Sequence, residues 1–471
     1  MLVSGNSAAA FSPSSLFAAG EQGAWFDASD MTTMFEDSAG TIAVHTPGNG
    51  VADSPVGKWL DKSGRGNHAI QATSGFRPTL SAKYNLLRYT EQFDNNIFWS
   101  TVDATAVANQ TTAPDGTSTA DFLRENASTN RHVIYNQYTN TTQVAANYTF
   151  SVCAKAGTRQ YFGVQISGGP VYTVYFDLSN GTVTSVKTTG SPTNTSNSIT
   201  SLGNGWYRCT VSSDLNGTGQ SANFLYAVAV LSNVGNPTNL IYDCANYTGN
   251  GTSGLYIWGA DFRFTNDGVG LPVYQKVVDA NTYDSTGFPY YLVGDAFNRK
   301  ALATGNINLS STNKVSTWAA VRKFTDDVTG GTALIFETSD ANDLNNGAFG
   351  MFAPAYNKIA NSAVMNSRGT VVQTASTSTA FATPSSKVIT GTADIGANSI
   401  ILRANGTQVG SSTANQGGGT YLTYPLNLLC RSNGSFQFSG RLYGAIIRGA
   451  QSTATQISNT ESWLNSVAKI Y

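Results

Sequence analysis

The chain has 471 residues, a formal net charge of −1 and only 12% charged residues, about half the usual ~25%. With no long basic block it lacks the stripe that phosphate contacts require, which excludes a nucleic-acid binder. No apolar run reaches the ~18 residues of a membrane span, and 41% hydrophobic with 11% aromatic residues is too rich for a disordered chain. The length suits two or three domains of about 100–200 residues. Gly, Ser, Thr and Asn replace the missing charge, a balance that suits many short strands joined by polar turns.

At the N-terminus, MLVSGNSAAAFSPSSLFAAG has no Lys or Arg before its apolar residues, so it lacks the pattern of a secretory signal. The expectation is synthesis in a cytoplasm and exit, if any, by another route. Ser12-Pro13 can start a short helix, with Ser as cap and Pro at the first helical position, and Gly20 can end it. Residues 1–20 read either as an arm that docks on something or as a disordered tail. Trp25-Phe26 and Trp59-Leu60 are short strand cores. Asp61-Lys-Ser-Gly-Arg-Gly-Asn67-His68 is a tight turn in which two glycines supply positive φ and Asp and Asn bond nearby amides. His68 is expected to bond the backbone there.

From Tyr84 the text changes. NYTFSVCAKA, QYFGVQIS and VYTVYFDL alternate with the period of strands. Asn180-Gly181 marks a hairpin. GNGWYRCTVSSDL, FLYAVAVL and GLYIWGADFRF are further strands. After a join at Gly268–Pro272 the first text resumes with PYYLVGDAFNRKALATGNINL, the core strands KVSTWAAVRKF and GTALIFETS, and a hairpin around Asn405-Gly406. In SFQFSGRLYGAIIRG, Phe436, Phe438, Leu442, Gly444 and Ile446 share one parity, which predicts a strand with one buried face. STATQISNTESWLNSVAKIY then changes period. Thr453 and Gln456 form a capping-box pair, and Ile457, Leu464 and Val467 follow on one helical face.

Candidate chemistry is sparse. Glu337 and Asp340, three apart, fall on opposite strand faces and cannot flank a sugar as a glycosidase pair must. His45, His68 and His132 are scattered, and G-x-S-x-G is absent. Cys153, Cys209, Cys244 and Cys430 lack C-x-x-C spacing and read as buried reduced thiols rather than zinc ligands or a disulfide framework. The best metal candidate is Asp340, Asn342 and Asp343, an oxygen-rich run suited to calcium. It fails EF-hand spacing at Leu344, and a solvated Asx-rich turn is the competing reading. Tyr161, Tyr172 and Tyr175 are candidates for stacking on a glycan; Tyr172 and Tyr175 have opposite parity, so one should be exposed. Trp206 reads as core.

SGRLYGAIIRGAQSTATQISNTESWLNSVAKIY and KWLDKSGRGNHAIQATSGFRPTL resemble the closing and opening segments of the laminin-G-like (concanavalin A-like) jelly roll of tailed-bacteriophage virion proteins. YNLLRYTEQFDNNIFWSTVDATAVANQ resembles the start of a carbohydrate-binding-module-like β-sandwich. The resemblance implies an all-β chain with two jelly-roll or β-sandwich domains, one inserted in the other, and a short C-terminal helix. Residues 1–20 would be a virion attachment arm, 21–83 and 267–471 the discontinuous jelly roll, and 84–266 the inserted sandwich. Such jelly rolls often hold calcium near loops like 340–347. Where the family often has D-G-x-x-D, this chain has Gly294-Asp295-Ala296-Phe297-Asn298, which weakens a metal role for that turn. The implied function is a non-enzymatic virion structural protein (tail or head fibre, spike or decoration), often a homotrimer, that meets other virion proteins and weakly contacts host-surface glycans. A dedicated carbohydrate-binding adhesin is the alternative, and a glycan depolymerase a third.

Overall fold

The computed structural model describes residues 11–139, 146–215, 224–295, 297–328, 330–340, 345–356 and 359–471. Among the described residues the fold is all-β with one α-helix, Ala454–Ala468. Its strands form four antiparallel sheets, packed in two face-to-face pairs.

The first pair uses strands from both ends of the chain. Its eight-stranded sheet runs Thr407–Ser412, Ser399–Ala404, Ser385–Asp394, Lys314–Lys323, Gly440–Arg448, Tyr291–Gly294, Thr79–Ser81, with Gly23–Asp27 also on Gly440–Arg448. The facing nine-stranded sheet runs from Met34–Phe35 to Val372–Thr377. Phe26, Trp59, Phe336, Phe349, Leu442 and Ile447 meet in the core between them. The second pair lies within residues 100–264. A six-stranded sheet from Ser196–Gly203 to Ala104–Thr111 faces an eight-stranded one. The latter runs Thr182–Thr189, Val171–Asp177, Tyr161–Ser167, Phe224–Ser232, Thr129–Thr139, Cys244–Thr248, Leu240–Ile241, with Ser100–Val102 on Thr129–Thr139. Phe150, Phe162, Val174, Phe176 and Phe262 fill that core. Among the described residues, no ladder joins a strand of one pair to a strand of the other.

The segment Gly440–Arg448 differs from its sequence pattern: every residue in it is buried, so it has two buried faces. Leu442 faces the sandwich core, but so do Ala445 and Ile447, while Tyr443 and Ile446 face the other way. A bulge causes the switch. Opposite Ala320 and Val321 the ladder jumps from Gly444 to Leu442, leaving Tyr443 as the extra residue. The second face is covered by a third layer in which Leu464 and Ala468 of the helix, Leu16 and Phe17 of the 3₁₀ turn Pro13–Phe17, and Phe288 pack on Trp25, Trp318 and Ile446. The capping box is present: Thr453 accepts from the Gln456 amide, and the Gln456 side chain accepts from the Thr453 amide. The buried stripe is Thr460, Glu461, Leu464 and Ala468; Val467 is only half-buried, because the helix lies rotated toward Glu461, which accepts from Arg403 and Thr390. Ser12 caps the 3₁₀ turn with Pro13 at its first position. Of the proposed arm, 1–10 lie outside the described residues.

The chain passes between the two pairs twice, at 82–99 and 265–290, and buried amides knit the passages together. Gln275 Oε1 accepts from the Tyr84 and Asn85 amides at 2.7 and 2.8 Å, and Asn85 Nδ2 donates to Ala260 O and Gln275 O at 2.9 Å each. The turn 61–68 is as its sequence predicts. Asp61 accepts from the amides of Trp25, Ser63 and Asn67, His68 Nδ1 accepts from the Asp61 amide at 3.0 Å, and Gly64 and Gly66 have φ of +81° and +74°.

Candidate functional site

The residues expected to contact glycan are mostly inside the protein. Tyr172 is 4% exposed in the sandwich core, with its hydroxyl accepting from Asn197 Nδ2 at 2.8 Å. Tyr175 has the opposite parity but is also buried, correcting the expectation that one of the two is exposed. Its face of the sheet is crossed by the segment 240–247, whose Cys244, Ala245 and Tyr247 pack on Tyr175, Val133, Val228 and Val230. The Tyr175 hydroxyl donates to Asp243 O at 3.0 Å and accepts from the Ala245 amide at 2.8 Å, and burial pushes it well above the usual phenol range. Tyr161 is half-buried against Gly235 on that same face, four residues (~13 Å) along the strand from Gln165. Trp206 is core, as its sequence suggests, with Nε1 donating to Thr112 O.

Of the calcium candidates, Asn342 and Asp343 lie outside the described residues, and Asp340 is exposed, with its carbonyl accepting from Asn345 Nδ2. Among the described residues no group of three His, Cys, Asp or Glu is placed to hold a metal. Glu337 is fully buried against Arg431, at 2.6 and 2.7 Å, a structural ion pair closed to solvent. The four cysteines are free and buried; burial pushes the Cys244 thiol up to about 12 and the Cys430 thiol up to about 11, which leaves them unreactive.

Beside the covered row the same sheet face is open. Two cross-strand rows floor it. One is Thr173, Gln165, Val228 and Tyr135; the next is Val171, Ser167, Tyr226 and Gln137. All of these except the fully buried Thr173 line, with Arg131 and Tyr242, a groove of about 360 Å³. The Tyr135 and Tyr226 rings lie 6.1 Å apart. Tyr242 forms the wall. It is 74% exposed, and the Arg131 guanidinium sits over its ring, 4.8 Å from the centroid.

Tyr242 is held there by a costly turn. Ile241 pairs with Cys244, so Tyr242-Asp243 is a two-residue hairpin loop, and both residues have positive φ, +50° and +61°. Such a loop prefers Asn-Gly or Gly-Gly; non-glycine residues in this region cost about 1–3 kcal/mol each and persist only where the surroundings fix them. Here Gln165 Nε2 donates to Tyr242 O at 2.9 Å and to Thr173 Oγ1 at 2.7 Å, and Tyr175 holds Asp243 O and the Ala245 amide.

A larger cavity of about 540 Å³ lies where the passages meet the second sandwich, lined by Glu91, Asp94 and Asp121. Its two buried carboxylates are already engaged. Asp121 accepts from the amides of Phe93 and Asn109, and Glu91 accepts from Lys276 and Tyr274. The groove, by contrast, has aromatic surface exposed to solvent and, among the described residues, no carboxylate in its lining. It can therefore bind, but it lacks the two-carboxylate geometry of glycoside cleavage.

The sequence carried one signal for this site that went unread. Arg131, Tyr135 and Gln137 share one parity of the strand Thr129–Thr139, a polar-aromatic face within an otherwise apolar sandwich. Tyr242 carried none, because its loop has no glycine.

No family model matches the chain, and no curated protein does. Among solved structures it is similar to the CBM40 domain of the Ruminococcus gnavus IT-sialidase bound to α2,3-sialyllactose, at 14% identity and a TM-score of 0.26, over 32% of this chain and 90% of that one. It is also similar to domain 4 of the Geobacillus stearothermophilus arabinanase AbnA with arabinotriose (16%, TM-score 0.29, 36% and 75%). A third is the binding domain of botulinum neurotoxin DC in complex with SialylT (13%, TM-score 0.28, 38% and 43%). At such scores these likenesses carry no functional argument, and the groove stands on its own geometry.

Proposed function

We propose that this chain is a non-catalytic glycan-contacting protein, and that the groove of Tyr135, Tyr226 and Tyr242 is its contact site. The observation that carries the reading is Tyr242, kept solvent-exposed by a strained turn above two further tyrosines. Sugars stack their C–H faces on aromatic rings and take hydrogen bonds from amide side chains, and the exposed Gln137 supplies the amide. One groove of this size gives weak contact; many copies would give avidity. The test is a glycan array with the full chain beside Tyr242→Ala. Saturable binding lost in the variant supports the groove, and unchanged binding removes it.

The resemblance at 58–80 and 439–471 supports placing the protein in a phage particle as a fibre, spike or decoration, with residues 1–20 as attachment arm. Cryo-electron microscopy of purified particles tests this. Absence of the protein from the particles would favour the free adhesin, and full incorporation of a chain lacking 1–20 would remove the arm.

A further inference from the structure

We infer that the groove takes an anionic glycan, one carrying a carboxylate or a sulfate ester, with Arg131 as its counter-charge; this deepens the glycan reading and rests on it. Among the described residues, Arg131 is the only charged side chain in the groove lining. The protein's other inward-facing arginines are largely spent on carboxylates: Arg159 on Glu125, Arg263 on Asp261, Arg322 and Arg441 on Asp267, Arg431 on Glu337, Arg448 on Glu21. Arg131, half-buried, makes no ion pair among the described residues. Asp243, the nearest carboxylate in sequence on the facing turn, does not line the groove, and its Oδ2 is buried without a hydrogen-bond partner.

A guanidinium is planar and carries its five N–H donors in that plane. Resting on the Tyr242 ring and hydrogen-bonded to the Cys244 sulfur, it is held in place while its remaining donors stay available for an acid group. Carboxylate and sulfate both accept the two parallel hydrogen bonds this fork offers. A ring stacked on the tyrosines, with its acid group on Arg131, would use both features of the groove at once. A neutral sugar would leave the half-buried cation unpaired.

The test uses the full-length chain on an array of neutral, carboxylated and sulfated oligosaccharides that includes oligogalacturonate and its methyl ester. The acid should bind about 10- to 100-fold more tightly than the ester, the range of a charge-assisted hydrogen bond. Its affinity should fall as salt rises. Arg131→Gln should bring the acid to the level of the ester, while Arg131→Lys keeps part of the preference; matched thermal melts confirm that both variants fold. Preference for a sulfated over a carboxylated ligand, or the reverse, identifies which acid group the site takes. Equal binding of the carboxylated, sulfated and neutral ligands, or an acid preference that survives Arg131→Gln, overturns the inference and leaves the groove reading standing if Tyr242→Ala still abolishes binding. Binding to no glycan in any class overturns both.

Discussion

Arg441 donates from Nη1 to Asp267 Oδ1 at 2.8 Å, and both side chains are buried. Asp267 lies just past the last strand of the second sandwich, Gly254–Phe264, while Arg441 is on the strand Gly440–Arg448 of the first. Arg322 joins them, with Nε 3.1 Å from the same carboxylate oxygen and its other nitrogens on the carbonyl and side chain of Asn266. Phe264, Phe324, Tyr84 and Tyr291 pack around the two guanidiniums. One carboxylate therefore balances two buried cations where the chain crosses between the sandwiches.

Asp267→Asn should expose that dependence. It leaves two buried guanidiniums without a counter-ion, and breaking a buried pair in this way costs about 3–5 kcal/mol. Calorimetry of the variant should show a lower unfolding temperature and a split into two transitions, as the sandwiches uncouple. A single transition at the wild-type temperature would show that Asp267 does not couple them.

The turn at Tyr242-Asp243 carries strain that one substitution can release without touching the groove. Asp243→Gly removes a non-glycine residue from φ +61° and a buried carboxylate oxygen that has no partner. Relief of both should stabilise the protein by about 1–2 kcal/mol, read as a higher urea midpoint, with glycan binding kept. Tyr242→Ala should instead lose binding with little change in midpoint. A lower midpoint for Asp243→Gly would show that the turn is not strained.

The all-β class, the Asn-Gly hairpins, the 61–68 turn and the helix cap were all legible, because each depends on local chemistry within a few residues. Asn180-Gly181 and Asn405-Gly406 do sit between paired strands. What could not be read is set by long-range covering. Tyr175 is buried by residues about seventy positions away, and the Gly440–Arg448 strand by both ends of the chain. Alternation shows which residues share a face, but not what lies on that face. The bulge at Tyr443 has no local signature either, and it inverts the parity of the residues beyond it.

The helix gives a direct comparison of the two readings. The helical face read from the sequence includes both Leu464 and Val467, but the packed stripe holds Leu464 and leaves Val467 half-buried. Leu464→Ala should cost about 2–5 kcal/mol as a core truncation, and Val467→Ala under about 1 kcal/mol. Urea melts of the two variants decide it, and equal costs would mean the helix is rotated from the position seen here.

Asp121 should make stability depend on pH. Burial pushes its carboxyl up to about 6, even though the Phe93 and Asn109 amides donate to it and oppose the rise, while Asp94 adds to it. In the unfolded chain the same group loses its proton near 3.9. Between those values the folded state binds more protons than the unfolded state, so this group's contribution to stability falls as pH rises from about 4 to about 6 and stays low above that. The effect is on the order of 2 kcal/mol. Asp121→Asn removes the titration but also leaves one of the two amides without its acceptor, so its stability is lower at acid pH. The gap between wild type and variant, followed by urea midpoint at pH 4, 5, 6 and 7, should shrink steadily to pH 6 and then level off. A gap that is constant across the series would mean that Asp121 titrates at the same pH in the folded and unfolded chains.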